Sequence, residues 1–475
     1  MADQYHEWNK QYFDVVIVGG GVVGAALLRK FTLEGAKALL LEKAPDVLDG
    51  ASKGNSAILH TGFDAPPDSL ELRCIREGRE EFLRIRQSLG LPLVKTGALV
   101  VAWSSEQVDQ LSSLVEKARA NGVDDVRMLR AEEINAREPH LGKGVLGGFE
   151  VPQEYIIDPW TTPHAYLLQA LSNGAMIARG SELTGGEFND GQWQLQTTSG
   201  EVNAGVVINA AGLYGDVVES RLLGAANFAI KPRKGQFVVY DKAASSLLKS
   251  ILLPVPTETT KGIVITRTVF GNLLVGPTAE EQESREDWST DTQTLQMLHQ
   301  TAVRMLPALA DIPITATYAG VRPATEQKEY RIRALPDERY VAVGGIRSTG
   351  LSSALGIAKY VFELYEHRFA IAHEALDAPL MPESLPQICE YDERNWQKPA
   401  NGGIVCHCEL VTRADIAQAL SGPMPATTLA GLKRRTRVTM GRCQGFYCTA
   451  QLAGITEQYF DEPLAEHFDR GADRG

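Results

Sequence analysis

The stretch that decides the fold is DVVIVGGGVVG (residues 14–24), an apolar run that ends in the pattern Gly19-x-Gly21-x-x-Gly24. It predicts a buried parallel strand, a tight turn and a helix whose N-terminus faces a diphosphate. Gly19 permits the turn, Gly21 removes the Cβ that would block the pyrophosphate, and Gly24 lets the helix pack on the strand. A second apolar strand ends at Glu42, whose carboxylate suits ribose hydroxyls. Together these features predict a dinucleotide site, against the alternative of a structural glycine-rich turn.

The composition is that of an ordinary globular protein. The chain has 475 residues, of which 44% are hydrophobic and 22% charged, enough for two or three domains with an ample core. The net charge of −12 argues against nucleic-acid binding, but a small anionic substrate could still be held by local cations. The sequence contains no long apolar run and no signal-peptide pattern. We therefore expect a soluble cytoplasmic protein, with peripheral contact to the inner face of the membrane left open.

Apolar strand patterns recur along the chain at long intervals. Four of them are separated by long insertions: 14–18, 38–42, 206–210 and 340–344. This spacing predicts one nucleotide-binding sheet that is interrupted by a second, antiparallel substrate domain. Between them, residues 93–103 alternate as a single strand would. The composition then shifts to Pro, Glu, Asn and Gly over 376–402, which predicts a linker or wrapping segment. A small, locally basic module follows.

The six cysteines are distributed unevenly, and their spacing near the C-terminus is the second strong signal. Cys406-x-Cys408 is followed, 34 residues later, by Cys443-x₄-Cys448. Two close pairs can bring four thiolates together, which suits a [2Fe–2S] cluster or zinc. Structural zinc usually uses Cys-x₂-Cys pairs, and this spacing departs from that pattern. The spacing alone leaves a [2Fe–2S] cluster, zinc and an unoccupied relic open. We expect His407 to hydrogen-bond to a sulfur rather than to coordinate iron.

Five landmarks follow one another in the first 375 residues: the 14–42 fingerprint, SKGNSAILHTG (52–62), IDP (157–159), VINAAG (207–212) and GGIRSTG (344–350). Together they resemble FAD-dependent oxidoreductases of the D-amino-acid oxidase superfamily. Within it the chain is most similar to glycerol-3-phosphate dehydrogenases and oxidases. The L-2-hydroxyglutarate dehydrogenases are close behind, through DSLELRC (68–74). The C-terminal module, with VCHCE (405–409) and GRCQGFYC (441–448), resembles [2Fe–2S] domains of the bacterioferritin-associated ferredoxin type.

The resemblance implies an α/β fold with three parts. A Rossmann-like FAD-binding domain would be interleaved with an antiparallel-sheet substrate domain, and a small α-rich iron–sulfur domain would follow. The oxidoreductase part would span residues 12–375, with FAD-binding segments at about 12–90, 155–230 and 335–375 and substrate segments at about 91–154 and 231–334. After the 376–402 linker, residues 403–475 would bind the cluster through the four C-terminal cysteines.

The same resemblance assigns the FAD site. The pyrophosphate would lie over Gly19–Gly24, the adenosine ribose on Glu42 and Lys43, and the isoalloxazine ring beside a loop that carries Ser52, Asn55, Ser56 and His60. A helix beginning at Gly350 would direct its positive end at the ring's pyrimidine edge, where reduced flavin accumulates negative charge. Two glycine turns complete the predicted site through Ala211, Gly212, Gly345, Arg347, Ser348, Thr349, Gly350 and Leu351.

Four residues are candidates for chemistry on the substrate. His60 would take an alcohol proton as a base, although many histidines are structural. Arg322 would pair the substrate's anionic group through its planar, permanently charged fork. Lys261 would bind a phosphate or stabilise reduced flavin, with a solvated loop lysine as the alternative. Arg347 would be a second anion clamp, or would only hold the glycine turn.

The sequence therefore predicts an FAD-dependent dehydrogenase for a small anionic secondary alcohol. The preferred reaction is oxidation of glycerol 3-phosphate to dihydroxyacetone phosphate, with electrons leaving through the cluster to a quinone, a partner flavoprotein or another carrier. A 2-hydroxy-acid dehydrogenase or an amino- or imino-acid dehydrogenase is the alternative, as is an electron-relay subunit of a hetero-oligomer. A homo-oligomer is equally open. A nicotinamide-dependent enzyme is disfavoured because the chain carries a single Gly-x-Gly-x-x-Gly motif.

Overall fold

The computed structural model describes residues 7–256, 262–382 and 385–465. The chain divides into two compact units, Met1–Ser384 and Leu385–Gly475. The boundary falls inside the 376–402 stretch that the sequence marks as a linker. Within the described ranges, no helix has both the length and the apolar character needed to span a bilayer.

The first unit contains eight α-helices and twenty strands among the described residues. Its helices are α1 (Val22–Leu33), α2 (Leu70–Ile85), α3 (Ser105–Ala120), α4 (Ala131–Arg137), α5 (Thr161–Ser172), α6 (Gly215–Leu223), α7 (Thr292–Met305) and α8 (Gly350–Phe369). Its strands are β1 (Tyr12–Val18), β2 (Ala38–Leu41), β3 (Ile58–Leu59), β4 (Leu93–Val94), β5 (Ala98–Ala102), β6 (Arg127–Arg130), β7 (Gly147–Val151), β8 (Tyr155–Ile157), β9 (Met176–Ala178), β10 (Leu183–Asn189), β11 (Gln192–Thr197), β12 (Gly200–Asn209), β13 (Ile230–Tyr240), β14 (Ile251–Pro254), β15 (Val264–Arg267), β16 (Leu273–Gly276), β17 (Glu280–Glu281), β18 (Ile314–Thr325), β19 (Arg331–Leu335) and β20 (Tyr340–Gly344).

One sheet is organised around the strand that the opening sequence predicts. β1 pairs in parallel with β12 on one side and with β2 on the other, and β20 and β9 extend the parallel set. Val15, Val16 and Ile17 of β1 are fully buried, as expected for a parallel strand covered on both faces. The hairpins β10–β11–β12 and the strand β19 add antiparallel edges. This is the predicted Rossmann-like sheet, assembled from three separate parts of the chain.

A nine-stranded sheet occupies the intervening parts of the chain, 98–151 and 230–325. Every strand pair in it is antiparallel except β5 with β14. Its longest pair is β13 with β18, in which Arg233 lies opposite Arg322 and Gly235 opposite Gly320. The interleaved antiparallel sheet is therefore confirmed.

The predicted single strand over 93–103 is wrong in one respect. Gly97 has a φ of +63°, which an extended strand cannot accommodate. The chain therefore breaks into β4 and β5. β4 joins a three-stranded antiparallel sheet with β8 and β3, whereas β5 belongs to the nine-stranded sheet.

The second unit is small and rich in helix. It contains β21 (Ile404–Cys406), β22 (Val411–Thr412), α9 (Arg413–Ala419), α10 (Leu429–Thr436) and α11 (Thr449–Thr456). Thr412 caps α9, because its hydroxyl accepts the N–H of Asp415 while the Asp415 carboxylate accepts the N–H of Thr412, a capping box. Its own apolar core includes Val405, Ile416, Leu432 and Leu452. Part of the predicted linker belongs to this unit, since Asn395 donates to Asp415.

Candidate active site and cysteine centre

The glycine turn after β1 leaves no room for larger side chains. Gly19 has a φ of +111°, and a Cβ there would lie 2.5 Å from the carbonyl oxygen of Ala210. A Cβ at Gly24 would lie 1.9 Å from the carbonyl oxygen of Gly19, so α1 can approach the turn only with glycine there. Gly21 is the N-cap of α1. The turn thus leaves the N-terminus of α1 accessible to a phosphate, as the pattern predicts.

Glu42 at the end of β2 is anchored by main-chain donors. Its Oε2 accepts the N–H of Gly20 at 2.7 Å, and its Oε1 accepts the N–H of Ala44 at 2.8 Å. Burial raises the pKa of Glu42, while the hydrogen bonds from Ala44 and Gly20 lower it. Each carboxylate oxygen can accept a second hydrogen bond, so the group suits a ribose diol. The adjacent Lys43 ammonium lies 3.5 Å from the centre of the Tyr214 ring.

A cavity of about 460 Å³ runs along these turns. It has the size of a cofactor-binding cleft. Of the predicted site residues, those that line it are Gly19, Gly21, Glu42, Lys43, Ser52, Asn55, Ser56, Ala211, Gly212, Arg322, Gly345, Arg347, Ser348, Gly350 and Leu351. Three predicted residues are not part of the lining: Gly24, Thr349 and His60. Lys261, the remaining predicted residue, lies outside the described residues.

The loop after Gly50 is held by its own polar side chains. The Ser52 hydroxyl accepts the N–H of Val22 at 2.9 Å. The Asn55 side chain accepts the N–H of Ala57, and its main-chain carbonyl accepts the Tyr318 hydroxyl at 2.8 Å. Close packing against β18 depends on two glycines, because a Cβ at Gly320 would lie 2.3 Å from the carbonyl oxygen of Gly54. The loop is therefore fixed beside the cavity.

The turn that precedes α8 is held by a buried carboxylate. The Thr349 hydroxyl donates to Oε1 of Glu71 at 2.8 Å and lies 2.7 Å from the Tyr330 hydroxyl. The Thr349 hydroxyl therefore supports the turn, and the predicted place of Thr349 in the cofactor site stays a prediction. Arg347 lies 3.8 Å from Oε2 of Glu71. This contact agrees with the interpretation that Arg347 holds the glycine turn, which was the alternative to an anion clamp.

Arg322 directs a positive charge into the cavity. Its Nη2 donates to the carbonyl oxygen of Thr278 at 3.0 Å. Desolvation lowers the pKa of Arg322 to about 10, and the nearby Arg233 adds to the effect. The guanidinium still carries its charge at neutral pH. A Cβ at Gly235 would lie 2.4 Å from that Nη2, so this glycine makes room for the arginine. A partly desolvated cation of this kind is suited to bind an anion.

His60 follows β3 and is 24% exposed at its side chain. Its main-chain N–H donates to the Ser352 hydroxyl of α8 at 2.9 Å. Ser352 directly follows Leu351, which lines the cavity. Its Nδ1 lies 2.9 Å from Oε2 of Glu154. The sequence gives no local signal for Glu154, which is 94 positions away along the chain. Histidine and carboxylate together form a pair that can accept a proton.

The four C-terminal cysteines are free thiols that form two pairs. Cys408 lies beside Cys443, and Cys448 lies beside Cys406. Burial raises the pKa of Cys408 and raises that of Cys448 to about 11, whereas the main-chain N–H of Tyr447 lowers the pKa of Cys443.

The paired arrangement bears on the choice of metal. A four-cysteine zinc site needs all four sulfurs around one point. A [2Fe–2S] cluster instead divides them, two to each iron. The donor set and its pairing therefore fit the two-iron cluster. Gly441 is needed for it, because a Cβ there would lie 2.3 Å from Cβ of Cys408.

The basic run near these cysteines serves the fold of the second unit. Arg434, Arg435 and Arg437 are buried. Arg437 Nε donates to Oε2 of the buried Glu409 at 2.9 Å, and Arg394 donates to the main-chain carbonyl of Glu409 at 2.6 Å. Two of the exposed side chains beside the cysteines are large aromatics. Phe446 is 81% exposed and Tyr447 75% exposed.

Comparison with protein families identifies the class. Residues 14–364 match the family of FAD dependent oxidoreductases (DAO), and residues 404–458 match the BFD-like [2Fe–2S] binding domain. Because the first match covers most of the chain, this protein belongs to the FAD dependent oxidoreductase family. It is an oxidoreductase whose cofactors are FAD and a [2Fe–2S] cluster, and the predicted alternative of zinc is not adopted.

The most similar relatives narrow the class further. The chain is 30% identical to a glycerol 3-phosphate dehydrogenase from Caloramator mitchellensis over 460 residues, 96% of each protein. It is 31% identical to a glycerol 3-phosphate oxidase from Mycoplasma pneumoniae over 361 residues, 74% of this chain and 94% of that one. An L-2-hydroxyglutarate dehydrogenase from Indibacter alkaliphilus is 31% identical over 281 residues, 58% of this chain and 70% of the relative.

Solved structures agree with the fold. The FAD-bound, dithionite-reduced L-α-glycerophosphate oxidase of Mycoplasma pneumoniae superposes with a TM-score of 0.73 at 27% identity, covering 79% of this chain and all of that one. A glycine oxidase from Geobacillus kaustophilus superposes with a TM-score of 0.67 at 22% identity, which is evidence for the fold alone. The predicted fold class and family are confirmed.

Proposed function

We propose that this protein is a glycerol-3-phosphate dehydrogenase that forms dihydroxyacetone phosphate and passes the electrons on through its [2Fe–2S] cluster. The observation that carries the proposal is the charged Arg322 in the cofactor cleft. It is supported by a relative named for this activity, to which the chain is 30% identical over 96% of its length. The oxidase relative aligns with 74% of this chain. The cysteine module sets our chain apart from a direct oxidase, which needs no cluster.

The cofactor-binding assignments follow from the shape of the turns. We assign the FAD pyrophosphate to Gly19–Gly24, the ribose to Glu42, and the ring to the cleft between the Ser52–Ser56 loop and the turn before α8. We assign the cluster to Cys406, Cys408, Cys443 and Cys448. When bound, FAD supplies the acceptor for the hydride of the alcohol carbon, and the cluster supplies a one-electron relay.

The protein's own residues bind and deprotonate the substrate in this proposal. The Arg322 guanidinium binds the phosphate and thereby orients the alcohol carbon in the cleft. His60 accepts the proton of the secondary hydroxyl as the carbonyl group forms. Lys261 is a further candidate for the phosphate, in a segment outside the described residues.

The iron–sulfur domain bears on the electron acceptor. Because a [2Fe–2S] cluster passes electrons one at a time, we propose a quinone or a partner redox protein, which can take up electrons singly. One relative, from Haloferax volcanii, is named as subunit A1 of an anaerobic glycerol-3-phosphate dehydrogenase and matches 94% of this chain at 24% identity. That name favours a hetero-oligomeric enzyme. We also propose a cytoplasmic location, with peripheral membrane contact if the acceptor is a quinone.

A substrate panel tests the proposal. The purified protein is assayed with a one-electron dye as acceptor and glycerol 3-phosphate, glycerol, L-2-hydroxyglutarate or L-proline as donor. We expect dye reduction with glycerol 3-phosphate, matched by dihydroxyacetone phosphate formation and with little oxygen consumption. Turnover of L-2-hydroxyglutarate in preference to glycerol 3-phosphate would contradict the proposed substrate. Rapid oxygen consumption would show that the protein is an oxidase and not a dehydrogenase.

A further inference from the structure

A fully buried carboxylate lies against the candidate base. Glu154, in the turn between β7 and β8, is 0% exposed. Its Oε2 lies 2.9 Å from Nδ1 of His60, and its Oε1 accepts the main-chain N–H of Thr61 at 2.6 Å and the Thr61 hydroxyl at 2.7 Å. Burying a carboxylate is costly unless its oxygens are hydrogen-bonded. Both oxygens of Glu154 are therefore committed to the His60–Thr61 segment.

A buried cation accompanies this carboxylate. Arg79 of α2 is 7% exposed, and its guanidinium lies 4.7 Å from the centre of the Tyr155 ring. Burial lowers the pKa of Arg79, and the negative charge of Glu154 acts against that shift. Arg79 thus supplies the opposite charge that a buried carboxylate requires. Arg79 also donates from Nη1 to the main-chain carbonyl of Leu59, the residue before His60, at 3.4 Å.

The carboxylate determines which ring nitrogen of His60 carries a proton. An ionised carboxylate can only accept hydrogen bonds, so a neutral His60 paired with it is protonated at Nδ1. The neutral ring then has its basic nitrogen at Nε2. Because Thr61 occupies Oε1, Oε2 is directed to the imidazole and holds the ring in one orientation.

We propose that Glu154 is a positioning residue that holds His60 in the tautomer and orientation needed to deprotonate the substrate; this inference rests on the proposed function. In the step, the O–H bond of the secondary hydroxyl breaks and its proton goes to Nε2 of His60. The hydrogen on the same carbon leaves with its electron pair for oxidised FAD, and a C=O double bond forms. Glu154 stabilises the resulting imidazolium through Nδ1–H.

The first test replaces Glu154 with glutamine in the FAD-loaded, full-length enzyme. The amide nitrogen of the introduced side chain would donate to Nδ1 and so favour the wrong tautomer. We expect Glu154→Gln to lower kcat for glycerol 3-phosphate by about 100-fold or more, the usual contribution of a general base. KM should change by less than about threefold, because the phosphate is bound elsewhere. The matched control is Glu150→Gln, a carboxylate on β7 that pairs with Arg127 and Arg137; its kcat should stay within about threefold.

A pH profile separates positioning from a structural defect. Removing the carboxylate charge disfavours the imidazolium, so the acidic limb of kcat/KM should move to lower pH in Glu154→Gln. Glu154→Asp keeps the charge and should recover part of the lost kcat. Unchanged FAD content shows that each variant has folded. A Glu154→Gln enzyme with kcat within threefold of the wild type, or with an unshifted acidic limb, would overturn the inference.

Two further measurements keep the inference testable if Glu154→Gln does not fold. Nitrogen NMR of ¹⁵N-histidine-labelled wild-type enzyme should show His60 protonated at Nδ1 when neutral, with the signal assigned by its loss in His60→Asn; protonation at Nε2 would refute the inference. The His60→Asn enzyme also separates the two levels of the argument. If it retains wild-type kcat, the role of His60 in the proposed function fails. If it loses kcat and Glu154→Gln does not, only the positioning role fails.

Discussion

The charge of Arg322 should decide whether the enzyme distinguishes a phosphorylated alcohol from an uncharged one. Arg322→Met removes the guanidinium but keeps an unbranched side chain of similar length in the cleft. One guanidinium donor is used by the Thr278 carbonyl, which leaves others for the substrate. One to two charge-assisted hydrogen bonds are worth about 2–4 kcal/mol, or roughly 30- to 700-fold in kcat/KM at about 1.4 kcal/mol per factor of ten. Because the phosphate is not the reacting group, the loss should appear mainly as a higher KM.

The assay is steady-state dye reduction with glycerol 3-phosphate and, separately, with glycerol. Arg233→Met is the matched control, since Arg233 lies opposite Arg322 on β13 and pairs with the exposed Glu281; it should change kcat/KM by less than about threefold. Arg322→Met should leave the weak reaction with glycerol almost unchanged. An Arg322→Met enzyme within threefold of wild type, or an equal loss with both alcohols, would refute the reasoning.

Three other variants test the cofactor sites and the substrate cleft. Gly24→Ala should yield protein with little bound FAD by absorbance, because the new Cβ would lie 1.9 Å from the carbonyl oxygen of Gly19; Gly454→Ala, where the Cβ meets nothing within 4 Å, should retain FAD. Cys408→Ser should remove the cluster's visible absorbance and electron paramagnetic resonance signal but keep the flavin, while Cys389→Ser should keep both. Gly235→Ala should raise KM at unchanged FAD content, because its Cβ would lie 2.4 Å from Nη2 of Arg322.

Each of these expectations has a contradicting outcome. A Gly24→Ala protein with a full content of bound FAD would mean that α1 can move away from the turn without loss of FAD binding. A Cys408→Ser protein with an intact cluster signal would remove this cysteine from the ligand set. A Gly235→Ala enzyme with wild-type KM would show that Arg322 can move aside and still bind the phosphate.

The fold could be predicted from the sequence where local patterns indicate it. β1 is an uninterrupted apolar run because both of its faces are covered, and such a run with a glycine turn is readable from the sequence alone. The break between β4 and β5 was missed because Gly97 is one glycine in an otherwise regular pattern. The sequence shows that the C-terminal module is locally basic, but it does not show that Arg437 is buried and binds the buried Glu409. Composition does not distinguish a buried arginine from an exposed one.

The candidate site was predictable where a motif supplied it and not where distant residues meet. The glycine turns and Glu42 belong to one continuous fingerprint. By contrast, His60 meets Glu154, and Thr349 meets Glu71 at a separation of 278 positions. Glu154 lies outside the motifs, and Glu71, although part of DSLELRC (68–74), gives no sign of its partner, because the fold brings that partner from a distant part of the chain. The place of Thr349 in the cofactor site is predicted from its position in a turn, and that position gives no sign of the hydrogen bond from its hydroxyl to Glu71.

Reduction of the bound FAD by glycerol 3-phosphate is measured by adding this substrate anaerobically to the FAD- and cluster-loaded protein and recording the absorbance. We expect bleaching of the flavin band at about 450 nm, loss of cluster absorbance at longer wavelength, and stoichiometric dihydroxyacetone phosphate. A spectrum that does not change with glycerol 3-phosphate but bleaches with dithionite would contradict the proposed function.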